Sequence, residues 1–196
     1  MLNVNYDTLK DSITETIREI NEGIKNPIRK PNIKLRIIKG LQGEVTAGKF
    51  IFRTDAALDA GGFAEHPRPM DYLLGALASC QQMWCLRWSA LTGKRLVDIQ
   101  IEAESVFSWR GEYLEEIDSG MTELHIKYLV QGNGITKLDL VDMANMVAKR
   151  CPVFATLRKG VLVKERIELN NRLLALREWF PGNESPLDLP INMDIQ

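Results

Sequence analysis

The chain has no stretch of apolar residues long enough to cross a bilayer, which excludes a helical membrane span. Met1 to Arg18 mixes Asn, Asp, Lys and Glu with isolated Ile and Leu, so it lacks the basic start and unbroken apolar run of a signal peptide. There is no charge excess either. Acidic residues number 26 and basic residues 25, interspersed along the chain, which leaves no field to draw in nucleic acid or an acidic membrane surface. Only 3 cysteines are present, Cys80, Cys85 and Cys151, an odd number that suits no disulfide framework. In a reducing compartment any bridge among them is expected to be transient and chemical. Histidines number 2, His66 and His125, and no Cys-x-x-Cys pair accompanies them, so a zinc site is not expected. No nucleophile elbow marks a serine hydrolase. The expectation from these absences is a cytoplasmic protein that binds no nucleic acid and no membrane.

What remains is ordinary globular material. With 45% hydrophobic residues, 196 residues can bury one core, with terminal extensions. Leu9, Ile13, Ile17, Ile20 and Ile24 form a narrow stripe on an amphipathic helix over 6–25, stopped at Asn26-Pro27. Lys34 to Lys39 and Lys49 to Arg53 read as the two strands of an antiparallel hairpin, with Gly40, Gly43 and Gly48 punctuating the interval. A Gly- and Pro-containing loop over 54–68 leads into the strongest segment, a helix over 70–92. Leu73, Leu77, Cys80, Trp84 and Trp88 share one face of it, and its other positions are largely apolar, which predicts burial on most sides. Strands over 97–109 and 121–130 follow, with the charged stretch 110–120 as an exposed turn between them. A helix over 137–150 runs into Cys151-Pro152, where a short second helix can start because proline is tolerated in a first turn. A strand over 161–169 comes next, then a helical piece to about Trp179 and a Pro-rich tail that either wraps a partner subunit or stays loose. The class expected is α+β, with antiparallel sheets packed on a long central helix.

Two cysteines stand in positions that bear on chemistry. A reactive thiol must be partly thiolate, which needs nearby positive charge or a helix start. Cys80 lies mid-helix, where a cysteine read alone is more often inert core filler. Cys151 stands at the start of the Pro152 helix, beside Arg150, where backbone N–H groups favour an anion. Cys85, five residues beyond Cys80, points well away from it and reads as core. Met83, Trp84, Trp88 and Phe154 could line an apolar pocket, although packing accounts for most of them.

Pro69-Met70-Asp71-Tyr72-Leu73-Leu74-Gly75-Ala76-Leu77-Ala78-Ser79-Cys80 resembles the motif that opens the central helix of the OsmC/Ohr family and carries its first redox cysteine. Gly61-Gly62 and Pro67-x-Pro69 before it are similar to one branch of that family. Arg150-Cys151-Pro152-Val153 resembles the family's second-cysteine signature. The resemblance covers residues 32–169 as an OsmC-like domain, with 1–31 as an N-terminal helical extension and connector and 170–196 as a C-terminal helical extension and tail. It implies an intertwined homodimer built on long central helices. It also implies a thiol peroxidase for organic hydroperoxides, in which Cys80 attacks, Cys151 resolves, and a dithiol, of the lipoyl type in one branch, resets the pair without any cofactor. The family activates its first cysteine with an arginine held by a carboxylate. No arginine stands in the Lys39-Gly40-Leu41-Gln42-Gly43 stretch, where one branch places it, so the resemblance assigns that role to Arg53, with Arg68 a weaker candidate, and the carboxylate to Asp71. The alternative it leaves open is a non-enzymatic OsmC-like protein that binds a small apolar ligand or senses redox state.

Overall fold

A computed structural model describes residues 2–181, 183 and 185–190, and within it the chain divides into two compact units. One unit spans Glu15–Gly75; the other comprises the chain up to Thr14 and from Ala76 on.

Helix α1, Tyr6–Asn21, opens the chain, with the Asn5 side chain accepting from the Thr8 N–H at 3.0 Å as a cap. It ends earlier than Asn26-Pro27 because Gly23 takes a left-handed conformation, φ +72°, which only glycine enters cheaply. No residue of α1 is buried, and Ile17, Ile20 and Ile24 of its apolar stripe are exposed.

Within Glu15–Gly75 the strands β1, Lys34–Lys39, β2, Gln42–Ala47, and β3, Phe50–Thr54, form an antiparallel meander in the order β1-β2-β3. The expected two-stranded hairpin is therefore corrected to three strands. Gly40 and Gly48 are the turns, both at positive φ, and Gly43 sits inside β2, where a Cβ would come within 3.1 Å of Thr54 Oγ1. That close approach explains a glycine in a strand. Asp55 organises the loop that follows. Its buried carboxylate accepts from the N–H groups of Ala56, Phe63 and Glu65 and from the Gln42 amide. Burial works against its charge, but these donors prevail and hold its pKa down at about 2.

Helix α2, Pro69–Thr92, begins with proline at its first position and stops at Gly93, φ +76°. Leu77, Cys80, Gln81, Cys85 and Trp88 are buried, so the covered face runs through Cys85, while Leu73 and Trp84 are only half-covered. Gly75, Ala76, Ser79, Gln82 and Met83 lie open on the other side, which corrects the expectation of a helix enclosed on most sides.

From Ala76 on, α2 is followed by β4, Leu96–Val106; α3, Trp109–Leu114; β5, Glu123–Gly132; α4, Lys137–Arg150; α5, Pro152–Leu157; β6, Leu162–Leu169; β7, Arg172–Trp179; and β8, Leu187–Leu189. The strands form one sheet in the order β4-β5-β6-β7-β8. Helix α3, capped by Ser108, occupies the stretch expected as a plain turn. Helix α4 starts at a reciprocal Thr136–Asp139 capping box. The sheet is not wholly antiparallel as expected. Strands β5 and β6 run parallel, and the α4–α5 crossover between them supplies the long connection that a parallel pair requires.

The larger correction falls on the expected C-terminal helix, for Arg172–Trp179 is a strand paired antiparallel with β6. Asn170 and Asn171 both have positive φ and make the two-residue turn between Leu169 and Arg172, as a type I′ hairpin demands. The leucines, alanine, arginine and glutamate of β7 favour helix locally, yet Ala175, Arg177 and Trp179 are buried at a spacing of two. Pairing with β6 overrides propensity. Residues 191–196 of the expected tail lie outside the described residues.

Candidate functional site

Helix α2 carries Cys80 on its buried face, and the α4–α5 junction carries Cys151. Their sulfurs lie 2.9 Å apart, with the Cys151 thiol donating to Cys80 Sγ. All three cysteines are free. Cys151 closes α4 and caps α5 at once, its Sγ accepting from the Phe154 N–H at 3.4 Å. Pro152 helps to make this local geometry, since its fixed φ suits a first helical position.

The two sulfurs differ in surroundings. Cys151 is fully enclosed, whereas Cys80 retains 8% exposure. Burial, reinforced by the bond to Cys80, pushes the Cys151 thiol up to about 12, against the pull of the Phe154 N–H. Cys151 is thus a neutral thiol at physiological pH, suited to give a proton and to attack only when a strong electrophile adjoins it. Burial pushes Cys85 higher still, with Cys151 and Glu165 adding to the effect, so it behaves as core.

Positive charge reaches this neighbourhood through Trp84, one helical turn beyond Cys80. The Arg87 guanidinium lies 4.6 Å from its ring centroid and that of Arg150, next to Cys151, lies 5.6 Å away. The arginines singled out by resemblance have partners of their own. Arg53 pairs with Glu44, which also holds Arg36 across the meander. Arg68 donates to Asp71 through its backbone N–H, Nε and Nη2, and Asp71 thereby sits in the first turn of α2 as a helix-start carboxylate.

A buried polar network links β6, β7 and α4 through residues that the sequence reading did not single out. Arg177 Nε lies 3.2 Å from Glu165 Oε2, which also accepts from Trp179 Nε1 at 2.8 Å, and Arg177 Nη2 donates to Asn145 Oδ1 at 3.0 Å. Burial pushes the Glu165 carboxyl up, while Arg177 and Trp179 pull it down. A signal for Glu165 existed: it stands in phase with Val163 and Ile167, on the inward side of β6. No such signal for Arg177 could register while its segment read as a helix. Among the described residues no group of three or more His, Cys, Asp or Glu is arranged to hold a metal ion, and no helix is long and apolar enough to cross a membrane. His125 contacts Glu123, which also pairs with Lys164.

The sequence profile of the OsmC-like protein family matches residues 62–166, a span that contains both cysteines and the elements that present them. The chain belongs to the OsmC-like family. Solved structures of similar fold agree. An OsmC-like protein from Mycoplasma pneumoniae superposes with a TM-score of 0.63 at 16% identity, covering 72% of this chain and 97% of its own. An organic hydroperoxide resistance protein OsmC from Legionella pneumophila gives 0.57 at 15% identity, covering 73% and 99%. An organic hydroperoxide resistance protein from Elizabethkingia anophelis gives 0.58 at 14% identity, covering 74% and 100%. At such identities the likeness is one of fold. No curated protein matches the chain in sequence. In this OsmC-like chain β7 and β8 lie beyond the matched span, at its C-terminal side.

Proposed function

We propose that this OsmC-like protein is a thiol peroxidase that reduces organic hydroperoxides, with hydrogen peroxide as a further candidate substrate, through Cys80 and Cys151. The observation that carries this reading is the 2.9 Å sulfur pair between Cys80, a residue that keeps slight exposure, and Cys151, which is enclosed. Cys80 as thiolate attacks the distal peroxide oxygen; the O–O bond breaks, the alkoxide leaves and takes up a proton as alcohol, and Cys80 becomes a sulfenic acid. Cys151 then attacks that sulfur, water departs, and a Cys80–Cys151 disulfide forms. A dithiol, of the lipoyl or a similar type, returns both sulfurs to thiols by exchange. Arg87 and Arg150 on Trp84 supply positive charge near Cys80, a role that the resemblance gave to Arg53, with Asp71 as the carboxylate that holds it.

The same reading places the protein in a reducing compartment such as the cytoplasm and assembles it as a homodimer. The open small-residue side of α2 and the exposed apolar residues of the meander, Leu35, Ile37, Phe50 and Ile51, support the dimer.

The alternative is redox sensing without turnover. The deciding experiment follows loss of cumene hydroperoxide and of hydrogen peroxide in the presence of dihydrolipoamide. Multiple turnovers that vanish in Cys80→Ser support the enzyme. Wild-type protein that oxidises once and consumes no further peroxide supports the sensor and overturns the peroxidase.

A further inference from the structure

Strand β7 lies C-terminal to the span that matches the family, yet its side chains reach both flanks of Cys151. On the α4 flank, Asn145 accepts from Arg177 Nη2 at 3.0 Å. On the α5 flank, the Phe154 ring meets Trp179 edge-on at 5.5 Å between centroids, and Arg158 lies 5.7 Å from the same indole. Glu165 ties the two β7 residues together, its Oε2 accepting from Trp179 Nε1 at 2.8 Å and lying 3.2 Å from Arg177 Nε in an ion pair. Phe154 is the residue whose N–H donates to Cys151 Sγ, so the stacked ring and the sulfur are fixed through one residue.

We propose that β7 is a clamp that holds the α4–α5 junction so that Cys151 stays within reach of Cys80, with Arg177 and Trp179 as its positioning residues. The inference rests on the reading of Cys80 and Cys151 as a redox couple. Two thiols close to a disulfide readily only when the chain holds them in near-bonding geometry, because the ordering cost is then met in folding. Cys151 joins two helices, its N–H donating to the Val147 carbonyl and its carbonyl accepting from the Ala155 N–H. Its own bonds thus tie it to α4 and α5, while β7 is what packs on both. The clamp also accounts for an ion pair in the core, where two apolar residues of similar size would cost less to bury. A cross-strand pair with directional donors fixes the register of β7, and with it the positions of the indole and of the guanidinium that grips Asn145.

The test equilibrates wild type, Asn145→Ala, Asn145→Asp and Trp179→Leu with glutathione redox buffers. The disulfide gains the two electrons and two protons it needs for reduction from glutathione, and the ratio at half-oxidation gives the effective concentration of Cys151 at Cys80. Asn145→Ala and Trp179→Leu are expected to lower it about tenfold at a temperature where both remain folded. Asn145→Asp, which keeps an acceptor for Arg177, is expected to match or exceed wild type. A residue acting only on stability would shift the melting temperature and leave the effective concentration alone. Effective concentrations in Asn145→Ala equal to wild type, or a fall in Asn145→Asp as large as in the alanine variant, would overturn the clamp. If Trp179→Leu does not fold, the half-buried Asn145 site decides. Wild type that forms no Cys80–Cys151 disulfide in any buffer would instead overturn the redox couple itself.

Discussion

Arg177 faces Glu165 directly across the β6–β7 ladder, its Nε 3.2 Å from the carboxylate, and both side chains are 1% exposed. Such a pair loses much of its mutual attraction to desolvation, but either charge left alone in the core is costly. Arg177→Ala is therefore expected to destabilise the fold by about 3–5 kcal/mol, whereas Glu165→Leu with Arg177→Met should come within about 1–2 kcal/mol of wild type. Urea unfolding followed by circular dichroism reads both. Equal losses in the single and double variants would contradict the pairing.

Cys151→Ser should leave the attack on peroxide intact while removing the group that captures the sulfenic acid. Under excess cumene hydroperoxide, Cys80 in this variant should gain two oxygens as sulfinic acid, while wild type loses two hydrogens as a disulfide. Intact-mass and peptide mass spectrometry distinguish the two products. A wild-type bridge to Cys85 would mean that the buried face of α2 is other than described.

The enclosed Cys151 thiol, pushed up to about 12, holds its proton more tightly in the folded chain than in the unfolded one, where a cysteine titrates near 9. Its contribution to stability is full below that unfolded value and is lost as pH rises from about 9 towards about 12. Denaturation midpoints should fall across that window, and Cys151→Ser should flatten the fall. Iodoacetamide at pH 8 should label Cys80 first, since Cys151 and Cys85 are sealed. Faster labelling of Cys151 in the native protein would contradict its enclosure.

Gly62 packs so closely on the preceding loop that an added Cβ would stand 2.1 Å from the Ala56 carbonyl oxygen. Backbone must move to admit it. Gly62→Ala should cost about 1–3 kcal/mol and loosen the Asp55-centred loop ahead of α2. Hydrogen exchange at Phe63 and Glu65, whose N–H groups donate to Asp55, measures the loosening. Unchanged protection at both amides would show that the loop absorbs the methyl without cost.

Elements whose signals are local were legible from residues alone. Helix α4 has the expected bounds because Thr136 and Asp139 cap one end and the Cys151-Pro152 break ends the other, all within one or two turns of chain. The family was legible for a similar reason, since its two cysteine signatures are short and lie on helix starts or helix faces. Strand β2 escaped because a central strand carrying Gly43, Glu44 and Thr46 lacks the apolar run that marks buried strands. The Asn170-Asn171 turn did announce β7, but leucine, alanine and glutamate after it spoke for a helix.

By itself the sequence determined where α2 and α4 start and stop, which fold family the chain belongs to, and which cysteines deserved attention, because caps, periodicity and short motifs act between near neighbours. Tertiary structure alone decided that β7 joins the sheet, that Glu165 meets Arg177, and that sulfurs 71 positions apart in the chain lie 2.9 Å from each other. Those contacts follow from pairing and burial between distant segments, where strand register and enclosure outweigh the preference of any single residue.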